Sequence, residues 1–223
     1  MEWRDQASIQ KQNALPVEIF LRFRLVVPVV RTTCSIIRTR EPQILHGEMP
    51  PIVLGPNSIT PSVGPGLLGV LFAPSAVAVT TQTRPAEAQN PSTVSSYAVC
   101  RNKTLNAISL NVPTDASATC WRAATPDGRF VYTSNPRSTS ISGFAISFQG
   151  ALIPIAGTVV GSPPAGSGNP DTAVSSEGRF LYTLNSGTGT VGIFGINQDG
   201  TLTRLGEAGG LTANAGYNGI AAN

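Results

Sequence analysis

Charged side chains are scarce in this 223-residue chain: Asp, Glu, Lys and Arg make up 12% of it, about half the share of an average domain. Histidine occurs once, as His46, and cysteine three times, as Cys34, Cys100 and Cys120. One histidine excludes a His-cluster metal site. The three cysteines have no metal-type spacing, and an odd number closes no disulfide framework. Buried free thiols serving as small apolar residues are expected, with a Cys100–Cys120 pair the alternative in an exported protein. No window approaches the ~18 consecutive apolar residues of a membrane span. The apolar run at residues 25–30 is short, is flanked by Arg22, Arg24 and Arg31, and makes a poor signal peptide. No membrane partner is expected, and the cytoplasm is favoured over export. A Gly-Lys-Ser/Thr phosphate loop is also missing, so no cofactor is implied.

The net charge of +3 and the isoelectric point near 9.0 suggest nucleic acid only until the charges are located. Arg4, Lys11, Arg22, Arg24, Arg31, Arg38 and Arg40 all fall within residues 1–50. From Trp121 onward, Arg122, Arg129, Arg137, Arg179 and Arg204 are balanced by Asp127, Asp171, Glu177, Asp199 and Glu207. A phosphate-tracking surface needs clustered Lys and Arg with aromatic platforms. Neither is present here, and nucleic-acid binding is set aside.

Glycine and proline are plentiful, at 23 and 18 residues, and favour many turns and short strands over helices. The strongest signal is a repeat. Asp127-Gly128-Arg129-Phe130-Val131-Tyr132-Thr133 returns fifty positions later as Glu177-Gly178-Arg179-Phe180-Leu181-Tyr182-Thr183. The match runs without a gap through Asn135/Asn185, Phe144/Phe194, Ile146/Ile196, Gly150/Gly200 and Leu152/Leu202. A period of this length fits one blade of a β-propeller, with four short strands and three turns.

The second copy divides into strands at residues 172–175, 179–185, 190–197 and 201–207. Phe180, Tyr182 and Leu184 alternate against Leu181 and Thr183, the period of a sheet. Gln198-Asp199-Gly200 marks a tight hairpin. An earlier, worn copy aligns residues 94–99 with 141–146 and Leu105 with Leu152 at an offset of 47, and Pro74 with Pro126 at 52. It carries five extra residues around 84–91 and has Ser75-Ala76-Val77 in place of the Asp-Gly-Arg turn.

The expected fold is all-β: a partial propeller of about three blades, each of four antiparallel strands, plus a closing strand at residues 217–222. Residues 1–50 stand apart as a non-repeat segment, disordered or from a mispredicted start, with a weak helix at 10–25 interrupted by Pro16. Residues 51–65 form a Pro/Gly-rich connection, and 66–223 hold the blades. Propellers close with four to eight blades. Three would leave blade faces exposed, so a fragment, a marginal fold, or self-association of two chains through those faces is expected.

The stretch Cys120-Trp121-Arg122-Ala123-Ala124-Thr125-Pro126-Asp127-Gly128-Arg129-Phe130-Val131-Tyr132-Thr133-Ser134-Asn135 resembles the lactonase-type seven-bladed β-propeller family, which includes propeller-type 6-phosphogluconolactonases and carboxymuconate cyclases. Residues 173–182 with Asn185 repeat that signature, and the ending at 219–223 is similar to the family's C-terminus. The resemblance covers residues 51–223, the second half of a complete member. It implies hydrolysis or formation of a sugar-acid or aromatic-acid lactone and a small anionic lactone as partner. It leaves open a non-catalytic propeller remnant or interaction module.

Propeller ligands sit at the mouth of the central channel, which inner-strand starts and the loops before them line. Those positions are Cys120-Trp121-Arg122, Asn169-Pro170-Asp171 and Tyr217-Asn218-Gly219. Arg122 suits a carboxylate or phosphate with its planar fork. Asp171 becomes a general base if the channel raises its pKa. Trp121 is a ligand wall or a channel plug. The plainer alternative for Arg122 and Asp171 is a surface ion pair and a loop cap. The Asp/Glu-Gly-Arg turns recur at one structural address and are expected to shape the bend, with the arginine pairing locally. The Phe and Tyr of the second strands are expected to pack between blades.

Overall fold

The computed structural model describes residues 66–74, 76–83, 92–100 and 104–223. The segments read above as residues 1–50 and 51–65, the weak helix at 10–25 and the insertion at 84–91 lie outside the described residues.

Among the described residues, twelve strands form three four-stranded antiparallel meanders. The first blade holds β1 (Leu67–Ala73), β2 (Val77–Gln82), β3 (Thr93–Val99) and β4 (Leu105–Pro113). The second holds β5 (Arg122–Ala124), β6 (Phe130–Asn135), β7 (Ser140–Ile146) and β8 (Leu152–Gly161). The third holds β9 (Asp171–Val174), β10 (Phe180–Asn185), β11 (Thr190–Ile196) and β12 (Leu202–Ala208). The strands fall within a residue or two of the places that period-2 alternation and the glycine turns set. Gly128 and Gly178 take φ of +69° and +72°, as the repeated turn requires.

The expected three-blade, all-β architecture is therefore present, with one difference. Residues 217–222 do not pair as a closing strand. Their anchor is a side chain: the Ile220 N–H donates to Asp171 Oδ2 at 3.0 Å.

The core lies between blades. One seam joins Val77, Val79 and Val94 of the first blade to Val131, Phe144 and Ile146 of the second. The next joins Phe130, Tyr132, Ile141 and Ile155 to Leu181 and Phe194 of the third. Alternating side chains make this possible, because each strand sends successive residues into opposite seams. Hydroxyls cross the seams as well: Ser96 Oγ donates to Gly150 O at 2.8 Å, and Tyr132 Oη to Gly200 O at 2.8 Å. Two exposed faces were expected. On the far side of the first blade, however, Ala78, Gln82, Ser95 and Tyr97 are all buried. The far side of the third blade is the open one, with Phe180 and Tyr182 only half-buried and Leu205 exposed.

Candidate functional site

The three inner strands β1, β5 and β9 stand side by side, which brings Arg122 and Asp171, the first residues of β5 and β9, to neighbouring places. Arg122 is buried, at 7% exposure. Its Nη1 donates to Leu68 O at 2.6 Å and reaches Thr81 Oγ1 at 3.5 Å. A bulge in β1 makes room for the guanidinium. Gly69, at φ +64°, sits where the register shifts, and a Cβ there would lie 2.6 Å from Arg122 Nη2. The head group also lies 5.4 Å from the centre of the Trp121 ring, within cation–π range.

Two polar atoms at this place are buried without a partner: Arg122 Nε and Thr133 Oγ1. Thr133 is the cross-strand partner of Arg122, so both side chains project from the same face of the sheet. Burial brings the Arg122 pKa down to about 10, with the nearby Asp171 charge opposing that shift. At neutral pH the guanidinium keeps its charge.

Asp171 is half-buried, and its carboxyl pKa is raised, chiefly by burial. N–H groups of Ile220 and Thr172 and the Arg122 charge act in the opposite direction. Asp171 Oδ1 accepts from Thr172 N at 2.7 Å and Oδ2 from Ile220 N at 3.0 Å. Burial and the Asp171 charge together push the Cys120 thiol up. Cys120 is a free thiol, so the Cys100–Cys120 pair is not formed. Trp121 is 43% exposed, and its carbonyl accepts Ser134 N at 2.9 Å and Ser134 Oγ at 3.2 Å.

The structure thus brings Arg122, Asp171 and Trp121 to one edge of the blades. Arg122 reaches into the preceding blade, and Asp171 receives main-chain N–H groups. Tyr217 and Gly219 enter only through the segment whose Ile220 is held by Asp171. Sequence reading missed Thr133, Gly69 and Ile220. A lone glycine within an apolar strand was the available signal for the bulge, whereas nothing local marks the other two. Among the described residues, no three His, Cys, Asp or Glu side chains gather to hold a metal ion.

The turn residues behave differently from their expected local pairing. Asp127 does shape its turn, accepting from Thr125 Oγ1 at 2.6 Å and Arg129 N at 3.0 Å. Arg129 instead crosses to the next blade, where Nη2 donates to Gln198 O at 2.8 Å. The cause is the stacking of its guanidinium over Phe130, 4.8 Å from the ring centre, which aims the group across the seam.

The family model described as lactonase, 7-bladed β-propeller matches residues 92–212. No curated protein matches the chain. Among solved structures, a functionally unknown protein from Desulfotomaculum acetoxidans is similar over 66% of this chain and 44% of its own, at 20% identity and a TM-score of 0.54. A candidate 6-phosphogluconolactonase from Bacteroides fragilis is similar over 64% of this chain and 38% of its own, at 21% identity and a TM-score of 0.51. The periplasmic gluconolactonase of Pseudomonas aeruginosa is similar over 64% and 42%, at 17% identity and a TM-score of 0.51. At these identities the likeness is one of fold, and the chain spans about two fifths of the length of those structures.

Proposed function

Because the chain belongs to the lactonase family of seven-bladed β-propellers, we propose that its three blades serve as one sector of a ring that hydrolyses or forms a sugar-acid or aromatic-acid lactone. The observation that carries this reading is the placement of Arg122 and Asp171 on neighbouring inner strands. The name of the similar Pseudomonas aeruginosa protein, a gluconolactonase, agrees with it. In the hydrolytic direction, water adds to the ring carbonyl, the endocyclic C–O bond breaks, and the ring oxygen takes up a proton. The Arg122 charge, retained at neutral pH, favours the oxyanion or holds an acidic group of the substrate. Asp171, its pKa raised by burial, takes the proton of the attacking water. Trp121, partly exposed beside Arg122, offers a wall for the ring.

A second reading is a blade module without turnover of its own. It is favoured by the main-chain N–H groups on both Asp171 oxygens and by the bond from Arg122 to Leu68 O. Steady-state assays of the full chain on 6-phosphogluconolactone and a muconolactone separate the two. Turnover that Asp171→Asn lowers by about a hundredfold or more, with an unchanged circular dichroism spectrum, supports the lactonase reading. A folded chain that turns over neither lactone supports the module.

A further inference from the structure

The second strand of each blade carries a threonine at the same repeat address: Thr81, Thr133 and Thr183, at offsets of 52 and 50. All three are fully buried. A buried hydroxyl without a partner is costly, so each is expected to bond within the fold. Thr81 Oγ1 donates to Leu68 O at 2.8 Å, and Thr183 Oγ1 to Asn185 Oδ1 at 3.0 Å. Thr133 Oγ1 has no such partner.

The neighbours of Thr133 explain why. Asn135, at the repeat address of Asn185, is already engaged. Its Oδ1 accepts from Thr119 Oγ1 at 2.6 Å, and its Nδ2 donates to Ser142 Oγ at 2.8 Å. Ser142, the cross-strand partner of Thr133 on one side, gives its own proton to Thr114 O at 2.6 Å. On the other side the cross-strand partner is Arg122, whose Nε is also buried without a partner. In the third blade the address of Arg122 is held by Thr172, whose hydroxyl donates to Tyr182 O at 2.8 Å. The open hydroxyl and the buried cation thus occur together in the second blade.

Both groups can donate a hydrogen bond. Cross-strand neighbours hold their Cβ atoms about 4.5–5.5 Å apart, close enough for one atom to bridge a threonine hydroxyl and an arginine Nε. The charge balance decides what that atom is. Arg122 is buried, and among the described residues no carboxylate lies within ion-pair distance of it. Asp171, whose charge it feels, spends both oxygens on the N–H groups of Thr172 and Ile220. A buried cation without an ion pair is expensive. A water molecule bridges the two atoms but leaves the charge uncompensated, whereas an anion meets both needs.

We propose that Arg122 Nε and Thr133 Oγ1 form a buried binding site for a single halide ion, chloride under ordinary conditions, in the seam between the first and second blades. Both groups donate to the ion, and the ion offsets the guanidinium charge inside the fold. Val131, two residues before Thr133 and on the same face, closes the seam beside it with Val79 and Val94. The lactonase reading also uses the Arg122 charge, but the halide site is read through stability and stands without turnover.

Thermal unfolding of the full chain in sodium chloride and in sodium gluconate, at one ionic strength, tests the site. Chloride at about ten times its dissociation constant should multiply the folding equilibrium constant about elevenfold, a rise in Tm of roughly 3–6 °C for a domain of this size. Thr133→Val, which keeps the shape and removes the donor, should abolish that rise, and Thr183→Val should keep it. Equal stability in the two salts overturns the proposal, as does a chloride effect that survives in Thr133→Val. Crystals of the unaltered full chain grown in bromide supply a measurement that needs no variant. An anomalous peak between Arg122 Nε and Thr133 Oγ1 is expected, and its absence refutes the site, whether or not a water stands there.

Discussion

Tyr132 and Tyr182 occupy the same address in successive repeats, yet only the first is fully enclosed. Tyr132 Oη donates to a buried carbonyl, and burial raises its phenol pKa, so its loss strands Gly200 O. Tyr132→Phe should cost about 1–3 kcal/mol, and Tyr182→Phe less than about 0.5 kcal/mol, as measured by urea unfolding. Equal costs would contradict the assignment of seam and open face. Asp171 gives a pH prediction. Burial lifts its folded-state pKa above the ordinary 3.8, so the folded chain keeps the proton to higher pH than the unfolded chain does. The stability this group contributes is complete below 3.8 and is lost as pH rises through the folded value. Thermal melts of the native chain and Asp171→Asn across that window should show the native chain losing stability relative to the variant as pH rises. A pH-independent difference would refute the raised pKa. Arg122 and Asp171 were legible as candidates because they open inner strands. Their bonds to Leu68 and Ile220 were not, since those partners lie 54 and 49 residues away.

At the scale of the element, the hairpin turns obey local chemistry and the seams add a distant constraint. Gly157, inside β8, and Gly200, in the turn between β11 and β12, both need positive φ, at +80° and +86°. A methyl group at Gly157 meets nothing within 4 Å, whereas at Gly200 it overlaps Phe130 and Ile155 at 2.6 and 2.7 Å. Gly157→Ala should therefore cost about 1 kcal/mol, from backbone strain alone. Gly200→Ala adds a clash inside the core and should cost about 3 kcal/mol by denaturant unfolding. Strand positions were readable because alternation and turn glycines are local signals, and β10 and β11 fell where Phe180-Leu181-Tyr182 and Gln198-Asp199-Gly200 placed them. The terminal segment misled for the same reason. Tyr217-Asn218-Gly219-Ile220 looks like an inner strand, yet it binds through one carboxylate instead of a ladder.

At the scale of the whole molecule, two apolar seams join the three blades among the described residues, each blade packing on its neighbour. Phe144 and Phe194, both fully buried, hold one seam each. Phe144→Ala and Phe194→Ala should each cost about 3–5 kcal/mol, measured by chemical unfolding. Their costs should add in the double variant, since the two rings lie in separate clusters. A strong coupling energy would show that the seams act as one core. The chain by itself determined the all-β class, the blade count and the family, because a fifty-residue period, alternation and turn glycines are written along the backbone. Only the tertiary structure decided what those residues touch. Arg129 reaches the next blade, Arg122 enters the bulge at Gly69, and Asp171 holds Ile220. The face of Arg179 and Tyr182 stays open, although its residues repeat those of the closed seam. Burial and partnership depend on what packs opposite, and a repeated sequence specifies the same surface each time without specifying what covers it.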